Sequence, residues 1–164
     1  MHARALALLA VLVATDGHGQ APPQRSNTFN DPFFQVTSRL PDCPVPAGPR
    51  ITEAERTSQS HARAERGTSC WLAGDCDRPN AYAYDRDIAM SLQAALPLSN
   101  TWPRSSLWVT VQRRIVFIEG CADRMSAARK LEALAKAAPN VQQVLVAVSA
   151  KRGGRPPYKL LSAP

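Results

Sequence analysis

Hydrophobic and polar positions are most regular between Asp85 and Ala150. In "DRDIAMSLQAAL", Ile88, Leu92, Ala95 and Leu96 recur at helical spacing, Asp85 is placed to cap the start, and Pro97 ends the run. After the loop "LPLSNTWPRSS" the period changes. "SLWVTVQ" alternates, with Leu107, Val109 and Val111 on one side and Trp108 and Thr110 on the other, which predicts a half-buried strand. Gln112 to Arg114 make a tight turn into "IVFIEG", a second strand that stops at Gly120, so the pair reads as a hairpin. "ADRMSAARKLEALAKAAP" returns to helical spacing. Asp123 is a candidate cap, and Met125, Ala128, Leu131, Leu134, Ala135 and Ala138 form an apolar stripe. Arg129, Lys130, Glu132 and Lys136 lie off that stripe, and Pro139 and Asn140 end the helix. "VQQVLVAVSA" is a third strand. The order helix, strand, strand, helix, strand predicts an α+β unit with two helices on one face of a three-stranded sheet. Composition does not place the third strand, which could pair beside either hairpin strand.

The remainder has a different texture. Residues 1–21, "MHARALALLAVLVATDGHGQA", begin with Arg4, continue with an apolar run from Ala5 to Ala14 and end in small residues. That is the layout of a secretory signal cleaved after Ala21, and the apolar run is shorter than the roughly 20 residues that span a bilayer. Residues 22–50 are rich in proline, asparagine and serine and read as an irregular arm, since proline removes donors and fixes φ. Residues 51–84 hold a polar helix and a cysteine ring. The helix opens on a capping box, Thr52 with Glu55, and Gly67 is read as its stop. Residues 85–150 are the regular unit, and 151–164 form a basic, glycine- and proline-containing flexible tail.

Export decides how the cysteines are read. Cys43, Cys70, Cys76 and Cys121 all lie beyond the predicted cleavage point, an even number in an oxidising compartment, which favours disulfides. Only His61 remains among the histidines, and no C-x-x-C pair occurs, so zinc and redox roles are disfavoured. Four cysteines allow three pairings, and sequence does not choose among them. A local Cys70–Cys76 ring is geometrically easy because Gly74 can turn the chain; Cys43 would then pair with Cys121.

No catalytic constellation is present. His61 sits among Arg63, Glu65 and Arg66 on a polar helix, Ser58 and Ser60 lack a nucleophile elbow, and Asp85 and Asp87 read as helix N-terminal charges. Asp75 and Asp77 flank Cys76 without a calcium-loop pattern. No cofactor or metal is expected. The formal charge of +7 fits either acidic partners (anionic lipid, nucleic acid or cell-wall polymer) or simple solubility, and export argues against nucleic acid.

"DIAMSLQAAL … LWVTVQRRIVFIEGCA … AARKLEALAKAAPNVQQVLVAV" resembles a BON domain over about 65 residues. The resemblance rests on the amphipathic first helix, the step Ile118-Glu119-Gly120 at the end of the hairpin, and Pro139-Asn140-Val141 before the last strand. Asn140 stands where the family has glycine, and Arg113-Arg114 occupies a turn where the family has Asp-Gly or similar. The resemblance implies a non-enzymatic module of the bacterial cell envelope, in the periplasm or outer envelope, associated with phospholipid or with envelope and secretion machinery. Two expectations follow. One is peripheral contact with anionic phospholipid through Trp102, Arg104, Arg113, Arg114, Lys151, Arg152 and Arg155, because aromatics beside cations suit a headgroup interface. The other is a protein-interaction adaptor using an apolar patch around Trp71, Leu72 and Tyr82, although packing of the arm onto the regular unit is the favoured reading of these three residues.

Overall fold

The structure is a computed structural model that describes residues 23–96, 104–150 and 154–161. The predicted signal, Pro97, Trp102, Lys151 and Arg152 lie outside the described residues. The hairpin forms as its alternation predicts. β2 (Ser105–Gln112) pairs antiparallel with β3 (Ile115–Ala122), with Val111 opposite Val116, Val109 opposite Ile118 and Leu107 opposite Gly120. Gly120 has φ +136, and a Cβ there would stand 2.1 Å from the Ser106 carbonyl oxygen. Close backbone approach therefore explains the glycine of the Ile118-Glu119-Gly120 step.

α3 (Met125–Lys136) carries the chain back across the sheet, so β4 (Gln143–Ser149) joins β3 in parallel, with Val146 opposite Ile118. This settles the placement that composition left open. The sheet also holds a strand that the sequence reading missed. β1 (Phe33–Ser38) pairs antiparallel with the other edge of β2, so the sheet has four strands in the order β1-β2-β3-β4 instead of three. "FFQVTS" is short and lies between Pro32 and Pro41, which masked it within the arm.

Two helices cover one face. α2 (Asp85–Ala95) and α3 bury Ile88, Ala89, Leu92, Ala128, Leu131 and Ala135 in one cluster with Leu107, Val109, Val111, Val116, Ile118, Val144 and Val148. Met125, expected in the stripe, is exposed at the first turn of α3. Asp123 does not cap that helix; its carboxylate pairs with Arg104. α1 (Glu53–Leu72) opens on the expected capping box but runs through Gly67 for 20 residues. Gly67 is a packing position and not a stop, because a Cβ there would lie 2.7 Å from the Asn80 side-chain oxygen. The turn comes at Gly74, φ +75, and brings Cys76 back to Cys70 on the last turn of the helix.

The opposite face is also covered, so β2 is buried on both sides and not half-buried as its alternation predicts. Trp108, Ser106 and Thr110 are buried there. The arm supplies part of the cover: Cys43 is bonded to Cys121 on β3, Leu40 exchanges hydrogen bonds of 2.9 Å with the Ser106 hydroxyl, and Phe33 packs on Gly48. The C-terminal segment supplies the rest. Tyr158 is buried, donates a 2.8 Å hydrogen bond to the Pro44 carbonyl, and lies within 3.8 Å of both disulfide sulfurs. Burial, and then the nearby Glu119 charge, push its phenol up to about 12. The Ala47 N–H donates to the Lys159 carbonyl at 2.8 Å, and the Leu161 N–H to the Val45 carbonyl at 3.1 Å. The described part of the basic tail is therefore docked, with Tyr158 as its anchor.

The Cys43–Cys121 bridge closes a sequence separation of 78 and Cys70–Cys76 one of 6. Loop-closure entropy then gives about 4–5 kcal/mol for the first and about 2 kcal/mol for the second. Cys43→Ser/Cys121→Ser is expected to lose about twice the unfolding free energy lost by Cys70→Ser/Cys76→Ser in urea titrations. Equal losses would show that the arm contributes little as a cover.

Candidate functional site

The hairpin turn is built on an unusual backbone. Arg113 and Arg114 both have positive φ, 55° and 64°, which is the geometry of a two-residue hairpin turn that favours glycine and asparagine. Left-handed backbone costs an ordinary residue roughly 1–2 kcal/mol, so something else must hold the turn. Asp85 does. Instead of capping α2, its carboxylate accepts the backbone N–H of Arg113 and of Arg114, each at 2.7 Å. Asp85 is only 3% exposed. Burial raises its carboxyl from the ordinary 3.8 to about 6, against the two N–H donors, which favour the charged form.

Tyr84 ties this tip to the cysteine ring. Its hydroxyl accepts the N–H groups of Asp77 and Arg78, both at 2.8 Å, and the Arg78 and Arg114 guanidiniums lie over its ring at 4.7 and 5.0 Å. Arg114 Nε also donates to the Asn140 carbonyl at 2.9 Å. Asn140 has φ 65°, a left-handed position that asparagine tolerates. Arg114, expected at a lipid contact, is thus tied to Tyr84 and Asn140 while staying partly exposed.

A second cluster links α1 to the sheet. The Arg63 guanidinium lies over the rings of Phe29 and Tyr82, at 4.2 and 3.9 Å, and pairs with Asp31 at 2.6 Å. Gln112 donates to the same carboxylate at 2.6 Å. Sequence reasoning missed these residues, because nothing in the order of Phe29, Asp31, Arg63 and Gln112 marks them as neighbours. Tyr82, placed in the expected apolar patch, is committed to this stack.

The opposite pole has a different character. A cleft of 330 Å³ opens beside the Cys43–Cys121 bridge, lined by Arg39, Asp42, Pro44, Arg104, Asp123, Ala150 and Pro156 among others. Arg104 is ion-paired with Asp123 yet 70% exposed. Arg155 is exposed between Gly154 and Pro156, both of which line the cleft. Lys151 and Arg152 lie in sequence between Ala150 and Gly154, and Trp102 lies two positions before Arg104. The expected contact residues therefore divide: the eight residues of β2 separate Arg104 from Arg113 by roughly 25 Å.

Trp71 and Leu72, inside the cysteine ring, are 48% and 80% exposed, so the ring displays its apolar residues. His61 is exposed, with its imidazole 3.9 Å from Glu65. Among the described residues no group of three or more metal-binding side chains occurs, and no described helix is long and apolar enough to cross a membrane.

Asp85→Ala would leave two turn donors without an acceptor and is expected to cost about 2–4 kcal/mol at neutral pH in urea titrations. Because the folded-state pKa is raised, the folded chain binds more protons than the unfolded chain between about pH 4 and about 6. The contribution of this group to stability is therefore greatest below about pH 4, is lost as pH rises to about 6, and is flat above that. A carbon-detected titration of Asp85 should show a midpoint near 6; a midpoint below 4 would mean that the N–H donors outweigh burial.

The BON domain family model matches residues 84–151, which extends the resemblance read from the sequence by one residue at each end. No curated protein matches the chain, and no solved structure does.

Proposed function

Residues 84–151 are a BON domain, and on that premise we propose that the chain is an exported, non-enzymatic envelope protein that holds to anionic phospholipid at the membrane surface. The observation that carries this reading is the cation-bearing cleft pole. Arg39 and Arg104 line it together with Asp42 and Asp123, exposed Arg155 lies between the lining residues Gly154 and Pro156, and the segments bearing Lys151, Arg152 and Trp102 adjoin it in the chain. The charge of +7 favours an anionic surface, and each cation near such a surface contributes about 1 kcal/mol. The association is peripheral, in the periplasm or outer envelope. Arg113 and Arg114 leave the contact set, since they stand at the far end of the hairpin.

Co-sedimentation with phosphatidylglycerol vesicles is expected to show salt-sensitive binding that phosphatidylcholine vesicles do not reproduce. Arg39→Ala/Arg155→Ala should weaken it about tenfold or more, by roughly 1 kcal/mol per cation, while Arg113→Ala leaves it unchanged. Absence of binding to anionic vesicles at low salt would end this reading.

One observation favours a second reading, a periplasmic interaction adaptor supporting envelope or secretion machinery. Trp71 and Leu72 are exposed side by side on a covalently closed ring, an arrangement that suits an anchor for a partner. Pull-down from envelope extracts should enrich a protein that Trp71→Ala/Leu72→Ala loses; equal enrichment by both chains would count against it.

A further inference from the structure

Arg63 is held as a free guanidinium would be. Its Nη1 and Nη2 donate to the two carboxylate oxygens of Asp31 at 3.0 and 2.6 Å, and the ring centres of Phe29 and Tyr82 lie 4.2 and 3.9 Å from its central carbon. A planar fork meets a carboxylate in this way, and an ammonium does not. None of the groups that hold it comes from α1. Phe29 and Asp31 stand on a loop that Asn27 closes, its side-chain amide donating to the Asp31 carbonyl at 2.8 Å and accepting the Asp31 N–H at 3.1 Å. Tyr82 lies on the short turn Ala81–Tyr84, where its N–H donates to the Asn80 side chain at 2.9 Å. Gln112, at the end of β2, donates to Asp31 at 2.6 Å. The cage is therefore built by the arm, the turn and the sheet, and α1 supplies only the guanidinium that fills it.

Little else holds the middle of α1. Of its 20 residues only Gly67 is buried, against Asn80. Its start is tied by the Ser26–Ile51 backbone pair and the Arg25–Glu55 ion pair, and its end by the Cys70–Cys76 ring. Between residues 56 and 69, Arg63 is the only side chain of the helix that hydrogen-bonds or ion-pairs outside it among the described residues. A groove of 630 Å³ opens onto the same cage and runs along α2 past Asp85 to Met90 and Gln93. Its floor holds two buried carboxylates, Asp31 and Asp85, against one mostly buried guanidinium, Arg63. Arg86, the other cation of the groove, is exposed. The floor thus favours a cation.

We propose that this cage is a binding site for an arginine side chain of another protein, carried on an extended segment that enters along the groove. In the free chain Arg63 fills the site, so α1 is a strap with Arg63 as its latch. The incoming guanidinium takes the Asp31 fork and the space between the two rings, and the Arg63 side chain turns out to solvent. α1 then stays tethered at both ends and loosens between them. The length of groove beyond the cage favours a chain segment over a free amino acid. This inference stands independently of the ligand at the cleft.

Titration of the full, oxidised Arg63→Ala chain with an end-blocked Gly-Arg-Gly peptide, followed by nuclear magnetic resonance, tests it. Saturable shifts are expected at Phe29, Tyr82 and Gln112, and adding Asp31→Asn should abolish them. A blocked Gly-Lys-Gly peptide and free arginine should each bind about tenfold or more weakly. In the wild type the arginine peptide should speed amide exchange at residues 56–69 toward the rate of the variant, with exchange in β2 and β3 unchanged. Arg63→Met keeps the stem over the rings and takes the place of Arg63→Ala if that chain does not fold. Absence of a saturable shift in the folded variant overturns the inference, as does equal binding of the lysine peptide. Free arginine that binds as tightly as the peptide overturns the assignment to a chain segment. Wild-type exchange in α1 that stays unmoved at about ten times the concentration that half-saturates the variant overturns the latch.

Discussion

β2 is buried on both faces from Ser105 to Val111, and the rest of the molecule is arranged around that condition. A sheet of this kind needs two layers of cover. Its helix-facing side receives the apolar stripes of α2 and α3. Its other side, with Trp108 and Thr110, receives only irregular chain: the arm around Cys43 to Gly48 and the segment around Tyr158. Irregular chain pays a large ordering entropy for little buried area. Few backbone hydrogen bonds join the two covering segments, chiefly those of Ala47 with Lys159 and Leu161 with Val45. The Cys43–Cys121 bridge supplies what is missing by restricting the unfolded chain, and Tyr158 uses the bridge as its seat.

The other pole is secured by a buried charge. The Asp85 carboxylate joins the start of α2 to the hairpin turn and stabilises two residues in a backbone conformation they disfavour. The cost of taking that charge out of water appears in its raised pKa. Truncation is therefore more damaging than the charge itself, because a buried donor without a partner loses its full solvation. Tyr84 extends the same tie to the cysteine ring, so α1, α2 and the hairpin share one junction.

Local periodicity made the helices, the hairpin and the order of elements legible, since each is an i to i+4 or i to i+2 relation. The ring pairing was accessible because a turn residue lies between Cys70 and Cys76. What remained hidden depends on distant chain. β1 is six residues between prolines and becomes a strand only because β2 offers an edge. Gly67 reads as a helix stop until Asn80 is placed against it. Asp85 reads as a cap because its true partners lie 28 and 29 positions further on. Of the expected contact residues, the cations at 104 and 113 look close in sequence, yet a single extended strand holds them at opposite poles.

That separation links stability to the proposed surface. The cleft is walled by Cys43 and Cys121, whose bridge holds the arm to β3, and by Pro156, two positions before Tyr158. Whatever binds there binds the folded, oxidised chain and not the unfolded one, and so stabilises the arm and the C-terminal segment by mass action. Loss of the bridge removes the wall and loosens the cover together. A contact at this pole would therefore depend on the Cys43–Cys121 bridge being closed. The hairpin pole does not depend on the Cys43–Cys121 bridge: Asp85 and Arg114 hold it, and Tyr84 ties it instead to the Cys70–Cys76 ring.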